Sequence, residues 1–269
     1  MLEIAKEQET TNKLVQVPLI EVKDLPSRFK CYPEGTEISY EPITLGELDA
    51  LNSGSINIQR GMDFLINAIH CNTLDPKDLA YFDVIYIGVL RKLHAFGNVK
   101  GTIAKRCPSC GNIVKHEFDY TEIEFIEIAD DIEFPVTATI NGVDLEFGLI
   151  TYSEFLQIDP KDGIPGVYAR MVKNKSYEES LEIIKSAYGE DIQVVKAIEH
   201  FLTYGIKPFI ETCQHEVPKK EKDKKGNEKE VLKECGTQVA LEVQTPFEVV
   251  FPDNRSFDTY KAKIHFGRS

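Results

Sequence analysis

The chain has 269 residues, 42% hydrophobic and 28% charged, so it can bury a sizeable core as one large domain or two small ones. Its formal net charge of −13 argues against a general nucleic-acid binder, because contact with phosphates requires a basic surface. No apolar run reaches the roughly 18 residues that a membrane-spanning helix needs, so none is predicted.

The N-terminal part predicts an arm followed by a strand. Residues 1–30 have the pattern of an extended arm, in which Pro18 and Pro26 confine any strand to the edge of a sheet. The run Thr36–Ile43 alternates apolar and polar residues and predicts a strand. We expect the arm to be a candidate for docking on a neighbouring protein.

Helices are predicted next. Thr44 and Glu47 have capping-box spacing, which predicts a short helix, and a second helix is expected at about 56–71. A third is expected from Leu79 to about Phe96, opened by an N-cap at Asp75. The residues expected on its buried face are Leu79, Phe82, Tyr86, Val89, Leu90 and Leu93.

The following region predicts strands and then helices again. Residues 136–147 form two alternating runs around Asn141-Gly142, the strongest short signal for a β-hairpin. Ser176 and Glu179 have capping-box spacing ahead of another helix, and a further helix is expected at 192–204. Phe209–Cys213 then returns to a strand pattern.

Four of the six cysteines occur in two similar settings. Cys107–Gly111 has the sequence Cys-Pro-Ser-Cys-Gly and leads into a strand pattern, and Cys235 is also followed by glycine and a strand pattern. Two intervening residues let both sulfurs reach one ion at about 2.3 Å, and glycine tolerates the positive φ of the turn. In the second setting, the cysteine that would pair with Cys235 is Cys213, which lies upstream in the sequence. We therefore expect one structural zinc ion held by Cys107, Cys110, Cys213 and Cys235.

The cysteines also allow other interpretations. His215 could replace either distal cysteine in a Cys₃His site. A redox role is disfavoured, because a redox Cys-x-x-Cys opens a helix and a strand pattern follows here. Cys31 and Cys71 occur alone, as small buried hydrophobic residues do. The polar N-terminus does not resemble a secretory signal peptide, which disfavours a disulfide framework. The spacing does not distinguish zinc from iron.

The order of these elements predicts an α+β fold. Helical segments are expected to pack on small antiparallel sheets, with a zinc-ribbon-like element joining the two distant cysteine half-sites. The predicted organisation is an N-terminal arm at 1–30, a single zinc-pinned domain at 31–250 and a C-terminal tail at 251–269. Residues 218–234 mix lysines with acids and predict a solvated loop inserted into the second half-site. Such an insertion is tolerated, since doubling a flexible loop costs only about 0.6 kcal/mol.

Several of these motifs follow one another in an order that resembles a known family. They are Glu41–Thr44, a helical pair, Leu74–Leu79, Leu90–Gly97 and the cysteine pair Cys107 and Cys110. Over about residues 36–160, this succession resembles the baseplate hub proteins of T-even-like bacteriophages. The resemblance implies a structural or assembly role in the hub of a contractile tail's baseplate, without enzymatic activity. Only the cysteine pair is carried over from it, as metal ligands.

The resemblance also implies a location and partners. These are the tail baseplate of the virion, reached after assembly in the host cytoplasm, and other baseplate hub and tail proteins. The sequence leaves open whether the chain is a permanent virion component or an assembly factor.

The residues themselves give no sign of catalysis. A nucleophile elbow, a phosphate-binding loop and a His-Glu-x-x-His motif are all missing from the sequence, and the six histidines are scattered. A four-thiolate site leaves zinc no open position for water, so the metal would be structural. We expect no small-molecule substrate and no membrane association. The alternative function is a zinc-ribbon module that binds nucleic acid or a nucleic-acid enzyme through the lysine-rich insertion.

Overall fold

The computed structural model describes residues 18–47, 58–97, 100–188, 205–222 and 228–241. Its helices are α1 (Ile58–Asn67), α2 (Tyr81–Phe96), α3 (Tyr152–Leu156), α4 (Gly163–Met171) and α5 (Tyr177–Ala187). Its strands are β1 (Ile20–Glu21), β2 (Ile38–Tyr40), β3 (Ile69–Cys71), β4 (Lys100–Arg106), β5 (Ile113–Asp119), β6 (Phe125–Ile126), β7 (Val136–Ile140), β8 (Val143–Phe147), β9 (Gly205–Ile206), β10 (Phe209–Thr212), β11 (Glu216–Lys222), β12 (Glu228–Glu234) and β13 (Gln238–Leu241).

A three-stranded antiparallel sheet of order β1-β2-β3 contains the described end of the predicted arm. β1 lies at its edge, as the flanking prolines predict, and the next residues, Val22 and Leu25, are buried in the core. The helix predicted at 56–71 ends early, at Asn67, because Ile69–Cys71 pairs with β2 as strand β3. Residues 1–17 lie outside the described part of the chain.

The start of α2 differs from the prediction. Asp75 does cap a helix, accepting a hydrogen bond from the Lys77 amide at 2.9 Å, but this is a 3-10 helix of one turn, Pro76–Asp78. The chain then extends, so that the Leu79 carbonyl accepts from Tyr152 N at 2.9 Å and Tyr81 N donates to the Ile150 carbonyl at 2.9 Å. Pairing with residues 150–152 therefore delays α2 until Tyr81.

α2 is buried on most of its circumference, so the single apolar face predicted for it is too narrow. Phe82, Tyr86, Leu90 and Leu93 are only partly buried. The residues that are fully buried on α2 include Tyr81, Asp83, Val84, Ile85, Ile87, Val89, Arg91 and Lys92. Lys92 places its ammonium 3.6 Å from the ring centroid of Tyr120, and burial lowers the pKa of Lys92 to about 7.

Two local predictions in the second half are confirmed. β7 and β8 form an antiparallel hairpin, and both turn residues have positive φ, 51° at Asn141 and 75° at Gly142. Ser176 and Glu179 form the reciprocal bonds of a capping box at the start of α5. The α+β class is likewise confirmed. The helix predicted at 192–204 and the tail at 251–269 lie outside the described residues.

No helix within the described ranges combines the length and apolar character needed to cross a membrane.

Candidate metal centre

Two antiparallel hairpins place the four cysteines at their ends. β4 and β5 pair from Lys100 with Asp119 to Arg106 with Ile113, so Cys107 and Cys110 lie in the turn between them. β10 and β13 pair up to Thr212 with Gln238, and beyond this last pair Cys213 comes next on one strand while Cys235 lies three positions ahead of Gln238 on the other. Each half-site is therefore carried by the end of a two-stranded ladder.

The two half-sites have the same backbone hydrogen bonds. In the first, Cys107 N donates to the Asn112 carbonyl at 2.7 Å and Gly111 N donates to the Cys107 carbonyl at 2.9 Å. In the second, Cys213 N donates to the Thr237 carbonyl at 2.9 Å and Gly236 N to the Cys213 carbonyl at 3.0 Å. The two glycines have φ of 74° and 71°, a left-handed conformation that favours glycine. The repeat seen in the sequence is thus a repeat of backbone geometry.

The insertion in the second half-site contains a hairpin. The prediction of a loop at 218–234 is therefore wrong for the residues that form strands β11 and β12. β11 and β12 pair in register from Glu216 with Glu234 to Lys222 with Glu228. Cys235 N donates to the His215 carbonyl at 2.8 Å, which closes the base of the hairpin. Lys220 and Glu230 are opposite charges at partner positions, which favours the pairing, whereas the partners Glu216 and Glu234 carry like charges.

The hairpins β4–β5 and β10–β13 pack against each other behind the cysteines. Lys105 Nζ donates to the Ala240 carbonyl at 2.9 Å, and the rings of Phe118 and Phe209 lie 5.0 Å apart. His116 stacks on Phe209 at 4.5 Å and its Nδ1 lies 2.6 Å from Glu211 Oε1. These contacts join β5 to β10 and hold the half-sites in a fixed relative position.

The four sulfurs converge. The Sγ atoms of Cys107 and Cys235 are 3.8 Å apart and those of Cys110 and Cys213 are 3.6 Å apart, and all four lie within 4.8 Å of one another. All four are free thiols. Four sulfurs at about 2.3 Å from a tetrahedral zinc ion are about 3.8 Å from one another, so the two shorter distances match such an ion closely.

The other candidate ligands are not part of this cluster. His215 is exposed, and its contribution to the half-site is the backbone carbonyl. Cys31 and Cys71 are half-buried, the latter on β3, and neither belongs to the group of four. The four cysteines of the cluster differ in exposure: Cys107 and Cys213 are buried, whereas Cys110 and Cys235 are partly exposed.

A comparison with protein families identifies the chain. The family described as T4 bacteriophage base plate protein matches residues 17–231, most of the sequence. The chain belongs to this family. The match includes Cys107, Cys110 and Cys213 and ends shortly before Cys235. A search of curated proteins and a search of solved structures gave no match. As a T4-like baseplate protein, the chain has a structural role in the virion tail, among other baseplate and tail proteins.

The backbone of this baseplate protein is arranged to stabilise thiolates. Burial opposes ionisation of Cys107, but the N–H groups of Cys110 and Ser109 point at its sulfur, and the pKa of the thiol falls to about 6. At Cys110 the Asn112 N–H favours the thiolate, but burial and the neighbouring thiols outweigh it and raise the pKa to about 12. A bound dication would remove the mutual repulsion that keeps the later thiols protonated.

The sequence did not indicate two hydroxyl groups beside the cluster. Thr237 Oγ1 lies 3.2 Å from Cys235 Sγ and 2.9 Å from Ser109 Oγ. Both residues are within two positions of a cysteine, Ser109 between the first pair and Thr237 after the second glycine. This closeness to the cysteines in the sequence is the one signal that could have identified Ser109 and Thr237, because residues in or next to the cysteine turns lie near the sulfurs.

Proposed function

We propose that this baseplate protein is a non-enzymatic structural or assembly component of the hub of a contractile tail. In this proposal one zinc ion, bound by Cys107, Cys110, Cys213 and Cys235, fixes hairpin β4–β5 to hairpin β10–β13. The observation that carries the metal site is the convergence of four sulfurs from half-sites about a hundred residues apart. The family match supports the structural role and the baseplate location.

The arrangement suits a mechanical role. Four cysteine ligands complete the tetrahedral coordination of zinc and leave no position for a reacting water. What the ion supplies is rigidity, because its ligands come from both hairpins and are separated by 103 and 128 positions in the chain. Structural zinc is worth on the order of 10–16 kcal/mol in small domains, whereas a single hydrogen bond contributes about 1 kcal/mol. The tie would hold the two hairpins together while neighbouring baseplate proteins move.

The alternative, a zinc-ribbon module that binds nucleic acid, is less well supported. Lysines and glutamates are interspersed along residues 216–234, and Lys220 is the register partner of Glu230, so the insertion does not form a purely basic surface. The formal net charge of −13 also opposes approach to phosphates. Partners in this proposal are other hub and tail proteins, with assembly in the host cytoplasm.

Elemental analysis of the purified chain tests the metal site. We expect one zinc ion per chain, lost on Cys213→Ser and on Cys235→Ser. The matched controls are Cys31→Ser and Cys71→Ser, which also remove a partly buried thiol and should leave the zinc content unchanged. Zinc that persists in both distal variants would refute the convergent site, and iron in its place would change the identity of the metal.

Mass spectrometry of purified virions tests the location. We expect peptides of this chain in the particle and in isolated baseplates, together with hub proteins in reciprocal cross-linking. Particles that contain none of the chain, although it is needed for their formation, would make it an assembly factor. A defined enzymatic activity of the purified chain that survives removal of the metal would contradict the non-enzymatic role.

A further inference from the structure

Thr237 occupies a special position between the two half-sites. Its hydroxyl oxygen lies 3.2 Å from Cys235 Sγ, and on its other side it lies 2.9 Å from the hydroxyl oxygen of Ser109. Ser109 belongs to the first half-site, between Cys107 and Cys110, and is separated from Thr237 by 128 positions. These side chains therefore form a hydrogen-bonded chain from the sulfur of one half-site to the turn of the other.

This link is present on one side of the cluster and not on the other. By the backbone repeat, Asn112 in the first half-site corresponds to Thr237 in the second, because each carbonyl accepts from the first cysteine amide of its turn. Each of these residues also directs its backbone N–H at the second cysteine of its pair. The side chain of Asn112 is exposed, whereas that of Thr237 is half-buried against Cys235. Thr237 thus adds to the shared backbone donor a side-chain hydroxyl within hydrogen-bond distance of the Cys235 sulfur.

The direction of the hydrogen bonds follows from the state of Cys235. A thiol can donate its S–H to Thr237 Oγ1, which leaves the threonine hydroxyl free to donate to Ser109. A thiolate has no hydrogen to donate, so the threonine hydroxyl turns toward the sulfur and the Ser109 hydroxyl donates to Thr237 Oγ1. Both oxygens can serve as donor and acceptor, so the pair accommodates either state without moving a heavy atom.

We propose that Thr237 is a positioning residue of the metal centre, which stabilises the Cys235 thiolate by its hydroxyl, and that Ser109 orients this hydroxyl. This inference rests on the proposed metal site and deepens it. Partners of this kind around metal ligands change metal affinity by about 10- to 100-fold when they are removed. We expect an effect near tenfold for Thr237, because it is half-buried, and a smaller effect for Ser109, which is exposed.

The test is the binding of Zn²⁺ and Co²⁺ to the full-length chain by competition with a chromophoric chelator. Thr237→Val keeps the shape of the side chain and removes the hydroxyl, and should weaken Zn²⁺ binding about tenfold. Thr237→Ser restores the hydroxyl and should recover most of the affinity. Thr102→Val is the matched control, since it makes the same substitution at an exposed threonine of β4, five positions before Cys107, and should leave affinity unchanged.

A spectroscopic readout separates this role from a loss of packing. Removing a hydrogen bond to a thiolate raises the energy of its lone pairs, so the sulfur-to-Co²⁺ charge-transfer band should move to lower energy in Thr237→Val and return in Thr237→Ser. Equal affinity and an unchanged band in Thr237→Val, with a wild-type chain that still binds one metal through four cysteines, would overturn this inference alone. A wild-type chain that binds neither metal would overturn the metal site and this inference with it.

Discussion

The sulfurs of Cys110 and Cys213 lie 3.6 Å apart although 103 positions separate them in the chain. They are brought together by two hairpins that pack side by side, each of which ends in a turn with the same backbone hydrogen bonds. The hairpins also contact each other through Phe118 and Phe209 and through the bond of Lys105 to the Ala240 carbonyl. A metal ion bound by all four cysteines would add a direct tie between them, and we expect it to supply much of the stability with which the two hairpins stay together.

Removal of the metal should therefore loosen the hairpins before the rest of the protein. After treatment with a chelator, amide protons at Cys213 and Gly236 should exchange faster, because their bonds to Thr237 and Cys213 carbonyls depend on the closed turn. Amides of the β7–β8 hairpin, which lies in another sheet, should keep their protection and serve as the internal reference. Hydrogen-exchange mass spectrometry checks this. Equal protection with and without metal would contradict a stabilising role for the ion.

A second prediction concerns the inserted hairpin. The first half-site forms its turn with two residues between the cysteines, and the second forms the same turn with residues 214–234 between them. Deleting 216–234 leaves Cys-Gln-His-Cys-Gly, which has the spacing of the first half-site. Since the base of the hairpin is already closed by the Cys235 bond to His215, the turn should survive the deletion and still bind one zinc ion.

Affinity should rise rather than fall in this variant. Shortening the connection from 21 residues to two lowers the entropic cost of bringing Cys213 and Cys235 together. For a flexible loop, this cost falls by about 2 kcal/mol. Chelator competition on the deletion variant measures the change. A replacement of 216–234 by a Gly-Ser segment of equal length is the control and should bind no more tightly than the wild type. Loss of zinc on deletion, with retention in the control, would show that the site needs the length of the insertion and would contradict this prediction, and loss in both would show that the hairpin itself is part of the site.

The half-sites could be predicted from sequence because their signal is local. Cys-x-x-Cys-Gly fixes the turn by glycine's freedom at positive φ, and the alternating residues after Gly111 and Gly236 fix the strands. The hairpin at Asn141-Gly142 and the capping box at Ser176 were predictable for the same reason. In each case three or four neighbouring residues determine the backbone.

The parts that were mispredicted depend on partners distant in the chain. The helix expected up to residue 71 stops at Asn67 because β2 offers Ile69–Cys71 a strand to pair with. α2 starts late because residues 150–152 pair with the chain at Leu79. The charged insertion forms strands because the cysteines bring its two ends together, which lets residues 216–222 pair with residues 228–234. A local pattern contains none of this information.

A third prediction concerns the buried ion pair of Arg91 and Glu47. Arg91 Nη2 lies 2.9 Å from Glu47 Oε1, and the two side chains are only 4% and 13% exposed. Among the described residues, Glu47→Ala would leave the buried guanidinium with the carbonyl partners Glu41 and Pro42, which should destabilise the protein by about 3 kcal/mol. Urea unfolding followed by circular dichroism measures this.

Glu154→Ala is the matched control for that variant. Glu154 also closes a capping box, with Thr151, and also forms an ion pair, with Lys173, but these two side chains are 28% and 31% exposed. Because solvent screens this pair, we expect a loss of only about 1 kcal/mol, mostly from the cap. The difference between the stability losses of the two variants measures the effect of burying the ion pair. Losses equal within about 0.5 kcal/mol would contradict a buried charge at Arg91.

The last prediction is a pH dependence at Asp162. Lys185 Nζ donates to Asp162 Oδ1 at 2.6 Å and Tyr177 Oη donates to Oδ2 at 2.8 Å. The Lys185 hydrogen bond, followed by that of Tyr177, lowers the pKa of Asp162 below its ordinary value of 3.8. A carboxyl with a depressed pKa in the folded state contributes stability above its unfolded pKa, and this contribution disappears as pH falls through the folded value.

The stability difference between the wild type and Asp162→Asn should therefore be constant between about pH 5 and 7 and shrink below about pH 4. Comparing the two chains at each pH cancels the loss of metal that acid causes in both. The same substitution in a Lys185→Met background should show a smaller difference at neutral pH, because the chief cause of the shift is gone. Urea midpoints at pH 7, 5 and 3.5 measure these values. A difference that grows toward acid would contradict a depressed pKa, since it would mean that the folded protein binds the proton more tightly than the unfolded chain does.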